Sequence, residues 1–333
     1  MTLTALSHDA LEETRRRLQP YLHRTPVLTC SALDERAGRR VFLKCENFQR
    51  TGSFKLRGAL SALLQLPPDE LARGVVTHSS GNHAQAVALA ARLLGTRAWI
   101  VLPRTAPEIK RRAVAGYGAE ITVCEPTMAA REEATQALID ATGAHLIHPY
   151  DDDRVIAGQA TAALELLEDH PDLDVLLAPI SGGGLLAGTA LAASRRTPSP
   201  RVVGCEPALA DDAYQSLKAG VIVRQPAGPT MADGLRANFC ERTFAIVRAL
   251  VEGIVLVTEE EMVEAMRFVW ERMKIVIEPS SAAAVAPLLF RPEVVGGRRL
   301  GVILSGGNVE FPLSASGQPP ARRPEGARPV SRR

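Results

Sequence analysis

Lys55 stands in the stretch ENFQRTGSFKLRGAL, residues 46–60, between Phe54 and Leu56. Thr51-Gly52 reads as a turn and Ser53 as a helix N-cap. From Phe54 the apolar residues Leu56, Ala59, Leu60 and Leu63 recur at helical spacing until Pro67-Pro68. Lys55 therefore falls in the first turn, at the positive end of the helix dipole, which disfavours an ammonium and favours a neutral amine. Gly58 and Ala62 leave its side of the helix open to a bulky group. A neutral amine there could form a Schiff base. The plainer reading is a lysine that snorkels its charge to water.

Three strand ends carry small polar clusters. In THSSGNHAQA, residues 77–86, a strand breaks into Ser79-Ser80-Gly81-Asn82-His83 before a helix. Backbone N–H groups at such a helix start can hold an anion such as an amino-acid carboxylate. In APISGGGLLAG, residues 178–188, a strand runs into Ser181-Gly182-Gly183-Gly184 and then Leu185. Three glycines let the backbone approach a phosphate closely. Gly182-x-Gly184-x-x-Ala187 also fits a dinucleotide fingerprint, with Glu206 roughly 20 residues on. In ILSGGN, residues 303–308, a strand ends in Ser305-Gly306-Gly307-Asn308.

A fourth cluster is acidic. Glu206, Asp211 and Asp212 in GCEPALADD suit a hard cation such as Mg²⁺ or Ca²⁺, or a solvated acidic loop. No Cys/His spacing points to zinc, and His78, His83, His145 and His148 are dispersed along the chain. No G-x-S-x-G elbow points to a serine hydrolase.

The elements that must position these residues alternate. RVFLKCE, GVVTHSS, RAWIVLP, EITVCEP, HLIHPY, DVLLAPI, RVVGCEP, GIVLVT and RLGVILSGG read as strands. HAQAVALAARLLG, AAREEATQALIDATG and EEEMVEAMRFVWERM read as helices between them. This rhythm predicts an α/β fold of two lobes, each a mostly parallel sheet covered by helices, with ligands at the carboxyl ends of the strands. Residues 74–150 make one small lobe, and residues 1–73 with 151–313 the large one. The Pro-, Gly- and Arg-rich tail, residues 314–333, has almost nothing to bury and is expected to be disordered.

The chain has 333 residues, 46% of them hydrophobic, which supports a real core. A net charge of +2 argues against a nucleic-acid binder. Cys30, Cys45, Cys124, Cys205 and Cys240 show no C-x-x-C pair, which suits a reducing cytoplasm. No apolar run approaches membrane-spanning length, so neither a membrane nor a nucleic acid is an expected partner.

FQRTGSFKLRGA, HSSGNHAQA, SGGGLLAG and LSGGN together resemble the signature segments of the fold-type-II pyridoxal-phosphate enzymes, the tryptophan-synthase-β-like group that includes the serine/threonine dehydratases and serine racemase. The similarity runs from about residue 8 to about residue 312 and takes in HPYDDDRVIAGQ, EPALADDAYQS and VWERMKIVIEPSSAA. The resemblance implies that Lys55 carries pyridoxal phosphate as a Schiff base, with Phe54 against one side of the ring and Gly234 on the other. It implies that Ser181, Gly182, Gly183, Gly184 and Leu185 hold the phosphate, which displaces the dinucleotide reading. Asn82 would bond the ring's phenolic oxygen and Ser305 would face the pyridine nitrogen. Ser79, Ser80, Asn82 and His83 would take the substrate carboxylate. Glu206, the carbonyl of Ala210 and Asp212 would bind Mg²⁺ or Ca²⁺.

The implied activity is that of an L-serine/L-threonine ammonia-lyase, giving a 2-keto acid and ammonia by α,β-elimination from a small β-hydroxy amino acid. The alternatives are serine racemase, with Ser80 as the second base, and threo-3-hydroxyaspartate ammonia-lyase. A silent sensor is set against the intact Lys55, Ser80, Asn82 and Ser305. The resemblance further implies a homodimer. Thr51, Gln85, Lys110, Tyr117, Lys274 and Asn308 match the region where eukaryotic racemases bind ATP as an activator, but Arg50 and Cys30 depart from it.

Overall fold

The computed structural model describes residues 6–79, 81–106, 108–226 and 228–310, apart from the side chain of Ile109. Ser80 and the tail at 314–333 lie outside the described residues. The strands among the described residues follow in chain order: β1 (Val27–Leu28), β2 (Arg40–Cys45), β3 (Val75–His78), β4 (Ala98–Pro103), β5 (Glu120–Cys124), β6 (His145–Leu146), β7 (Val175–Pro179), β8 (Arg201–Pro207), β9 (Gly253–Val257) and β10 (Arg299–Leu304). They form one sheet of six strands, β1-β2-β10-β7-β8-β9, and one of four, β5-β4-β3-β6. Every neighbouring pair is parallel except β1 with β2.

Side chains alternate across each sheet and bury both faces. On β7, Leu176 and Ala178 enter one core while Val175 and Leu177 enter the other. On β10, Ile303 faces the first core and Leu300, Val302 and Leu304 the second. In the smaller sheet Val75 and Ile100 point one way, Val76 and Trp99 the other. Two buried faces explain why these strands read as continuous apolar runs. Helix Gly184–Ala193 is built of small and apolar residues and is buried on every side. Among the described residues no helix is long and apolar enough to cross a membrane.

HLIHPY differs from the sequence expectation. Only His145–Leu146 pair as a strand, beside Val75 and Val76 of β3. The chain then turns away, and Pro149 has no N–H with which to continue a ladder. The carbonyls of Ile147 and Pro149 are thereby freed for side chains from elsewhere.

Candidate active site

The segment before Lys55 is tied to the end of β10. Ser53 makes an isolated antiparallel bridge with Gly306, the Phe54 N–H donates to the Ser305 carbonyl at 3.0 Å, and the Gly307 N–H donates to the Gly52 carbonyl at 2.9 Å. Gly52 takes φ +69°, the left-handed conformation this tight joint requires. The helix begins at Lys55 and runs to Leu63, with Phe54 at the cap position and no side-chain cap. Ser53 is therefore not the N-cap. Its backbone is spent on the bridge, and its buried hydroxyl has no partner among the described residues.

The Lys55 amine donates to the Pro149 carbonyl at 3.1 Å and lies 5.1 Å from the centroid of the Phe54 ring. Burial pushes the lysine down to about 8, against the pull of the Glu278 carboxylate. Phe54 packs on the edge of the large apolar core. Ser305, which follows β10 and is buried, is thus held one residue from Lys55 across the Phe54–Ser305 bond.

The loop after β3 leads into helix Asn82–Leu93. Ser79 Oγ accepts the Gly81 N–H at 3.3 Å. Asn82 Nδ2 donates to both carboxylate oxygens of Glu278, at 2.8 and 3.1 Å, and Asn82 Oδ1 accepts from Asn308 Nδ2 at 2.9 Å. The Asn308 N–H donates to Glu278 at 3.2 Å, so one buried carboxylate organises two strand ends. Burial pushes Glu278 up to about 7, with the Asn82 donor working the other way. Sequence reading gave Glu278 no role. Its position in IEPSS carries no local signal for partners nearly two hundred residues away.

The histidines are dispersed in sequence but three converge here. His83 is buried, and its Nε2 lies 3.0 Å from the Ile147 carbonyl. Burial, and then the charge of Lys55, hold it well below its usual range. His148 is pushed down to about 4, chiefly by burial, with His78 and Lys55 adding to the effect. Its Nδ1 accepts the Asp151 N–H at 2.7 Å. His145 stands apart, paired with Glu70 at 2.7 Å.

The glycine loop after β7 forms a cradle. A Cβ on Gly182 would meet the Tyr150 ring at 2.5 Å, and one on Gly184 would meet Tyr150 Cβ at 3.0 Å. A Cβ on Gly183, at φ +91°, would meet Phe239 and Thr243 at 2.8 Å. Thr243 Oγ1 donates to the Gly182 carbonyl at 2.7 Å and fixes the loop from behind. Gly184 and Leu185 open helix Gly184–Ala193, whose first N–H groups have no acceptor inside the helix. The cradle fits a phosphate. Tyr150 roofs it while the adjacent Pro149 receives the Lys55 amine, so lysine and cradle meet across two consecutive residues. The Ser181 hydroxyl accepts the Ala237 N–H at 2.9 Å and so ties down the loop at 237. Gly234 is exposed and its N–H donates to Ser280 Oγ at 3.1 Å.

The acidic loop lies at the end of β8. Glu206 accepts the N–H groups of Ala213 and Tyr214 at 2.9 and 2.8 Å. Burial pushes Glu206 up to about 8 and Asp212 up to about 7. Asp212 Oδ2 is buried with no partner among the described residues, and Ala210 beside it is buried. Among the described residues no three His, Cys, Asp or Glu side chains are grouped to hold a metal.

Known proteins share this sequence pattern and fold. Residues 18–306 match the family model described as pyridoxal-phosphate dependent enzyme. The chain is 46% identical over 305 residues to a serine racemase of Dictyostelium discoideum, covering 90% of this chain and 94% of that protein. It is 45% identical to a β-hydroxyaspartate dehydratase of Paracoccus denitrificans, covering 92% and 97%. The solved structure of a threonine deaminase from T.th. superposes with a TM-score of 0.87 at 46% identity, covering 92% of this chain and 99% of that one. The chain belongs to the pyridoxal-phosphate dependent enzymes of fold type II, among the serine racemase and threonine deaminase relatives.

Proposed function

We propose that this chain is an L-serine/L-threonine ammonia-lyase, converting a β-hydroxy amino acid to a 2-keto acid and ammonia. The observation that carries the reading is the Lys55 amine, pushed down to about 8 by burial, beside a glycine cradle that a phosphate fits. Pyridoxal phosphate, when bound, supplies the electron sink that makes the α-proton acidic. Lys55 holds the cofactor and then takes the α-proton as general base. Gly182, Gly183, Gly184 and Leu185, with Ser181 bracing the loop, hold the phosphate. Asn82 and Ser305 fix the ring polar groups, between Phe54 and Gly234. A neutral hydroxyl at Ser305 favours loss of a β-leaving group over transamination. Ser79, Asn82 and His83 orient the substrate carboxylate, His83 through its backbone N–H at the helix start, because its neutral imidazole spends its one N–H on the Ile147 carbonyl. One base suffices for elimination, which is why this reading leads.

A second reading is serine racemisation, which needs a proton donor on the opposite face. Ser80 is the residue proposed for it, by its place in HSSGN. Activity on 3-hydroxyaspartate is a third, in line with the Paracoccus relative. One assay separates them: keto acid and substrate enantiomer, measured over L-serine, L-threonine and threo-3-hydroxyaspartate. Keto acid from serine or threonine supports the proposal. Racemised serine with no keto acid contradicts it.

The same proposal includes Mg²⁺ or Ca²⁺ at Glu206, the Ala210 carbonyl and Asp212, supported by the buried Asp212 oxygen that has no partner among the described residues. It includes a cytoplasmic homodimer, for which the exposed Phe48 and Val276 offer apolar surface on segments joined by the Asn47–Val276 hydrogen bond. Its two lobes are residues 1–73 with 151–313 and residues 74–150. ATP activation would act through Thr51 and Asn308, since Asn308 bonds both the Thr51 carbonyl and Asn82. A weak effect is expected because Arg50 and Cys30 depart from the family pattern.

A further inference from the structure

Two residues after Lys55, on the same helix, Arg57 is fully buried. Every N–H of its guanidinium has an acceptor. Nε and one terminal nitrogen donate to the two oxygens of Glu46 at 2.7 and 2.8 Å. The terminal nitrogens donate to the two oxygens of Glu165 at 2.8 and 2.9 Å, and one also reaches Thr161 Oγ1 at 3.1 Å. Lys44 completes the group, donating to Glu165 at 2.6 Å and to the Thr25 carbonyl at 2.7 Å. Two cations thus balance two anions in the protein interior. Such a cluster is weak evidence for stability, because desolvation offsets the attraction. A planar, bidentate fork does fix geometry.

What it fixes is the helix that carries Lys55. Glu165 and Thr161 lie on helix Asp153–Asp169. On that same face a Cβ on Gly158 would collide with the Arg57 carbonyl, so the two helices touch backbone to backbone. Ser61 Oγ adds a bond to the Arg154 carbonyl at 2.6 Å. Helix Asp153–Asp169 also packs on helix Gly184–Ala193, which opens at the phosphate cradle. There a Cβ on Gly188 would lie 2.7 Å from the Ala160 nitrogen. The opposite face of the lysine helix is different. Leu56, Ala59 and Leu60 join Val75, Ala84 and Val87 in one apolar core.

We propose that Arg57 is a positioning residue: its fork locks the Lys55 helix to helix Asp153–Asp169 and so sets the distance between the reactive amine and the phosphate cradle. The inference rests on the reading of Lys55 as the cofactor lysine. Lys44 belongs to the same ion cluster but sits on β2 and makes none of the bonds between the lysine helix and helix Asp153–Asp169.

The test compares Arg57→Lys with Lys44→Met as cofactor-loaded enzymes, reading melting temperature, kcat, KM and the visible absorbance of the lysine-bound cofactor. Both variants are expected to melt below the wild type. Only Arg57→Lys is expected to shift the absorbance band and to lower kcat, with KM little changed, by about a hundredfold, the order that a 1 Å misplacement costs. Equal losses in the two variants, or an Arg57→Lys enzyme with wild-type kcat and spectrum, would overturn the inference. If Arg57→Lys does not fold, Thr161→Val removes one arm of the fork and should give a smaller shift in the same direction; an unchanged spectrum and kcat there would overturn it. Borohydride labelling of the wild type away from Lys55 would overturn the underlying reading, whereas labelling at Lys55 with equal losses overturns the inference alone.

Discussion

Asn82 and Glu278 are joined by a two-point contact, with Asn82 Nδ2 at 2.8 and 3.1 Å from the carboxylate oxygens. Glu278→Ala leaves the Asn82 amide and the Asn308 N–H without an acceptor, at a cost of about 1–3 kcal/mol of stability. Glu278→Gln keeps one acceptor and removes the titration. Burial raises Glu278 from 4.5 to about 7, so the folded protein keeps this proton after the unfolded chain has lost it. Its contribution to stability therefore falls as pH rises from 4.5 to about 7. Urea unfolding of cofactor-free protein across that window should show a smaller fall in Glu278→Gln than in wild type. Parallel profiles would contradict the assignment.

Gly182→Ala drives a methyl into the Tyr150 ring, 2.5 Å from where its Cβ must lie. Overpacking of this kind costs about 1–3 kcal/mol, which would appear as a roughly fivefold to hundredfold loss of affinity for pyridoxal phosphate. Tyr150→Ala in the same chain should restore part of it. Equal binding by Gly182→Ala and wild type would show that Tyr150 does not roof the cradle.

The fold was legible because parallel strands buried on both faces leave long apolar runs, as in RAWIVLP and DVLLAPI, and because each glycine cluster directly follows such a run. Lys55 and the glycine loop at 182–184 stood out in their own segments, and the roles proposed for them came from the family resemblance. Arg57 was not legible. In FKLRGAL it reads as an ordinary helix charge, and nothing near it in sequence announces Glu46 and Glu165. Glu278, Tyr150 and the convergence of His78, His83 and His148 escaped likewise, because each depends on segments that meet only after both sheets have formed.

Metal removal tests the acidic loop. A cation bound only by the folded state stabilises it by about 2.7 kcal/mol when present at a hundred times its dissociation constant. Chelator should lower the melting temperature of the wild type and leave that of Glu206→Ala unchanged. A chelator-insensitive wild type would remove Glu206, Ala210 and Asp212 as a metal site.

Ser80 separates the lyase from the racemase reading. Ser80→Ala should abolish any D-serine formed from L-serine, while pyruvate formation survives at least in part. Chiral chromatography and a coupled pyruvate assay on the same samples give both numbers. Undiminished D-serine would assign the second proton transfer to another residue.

Lys55, proposed as the amine that holds the cofactor, can be tested by chemical trapping. Borohydride reduction of the yellow holoenzyme, followed by peptide mass mapping, should place the adduct on the peptide carrying Lys55, and Lys55→Ala should be colourless and inactive in both assays. An adduct on any other lysine, or a Lys55→Ala enzyme that still forms keto acid at the wild-type rate, would contradict the account.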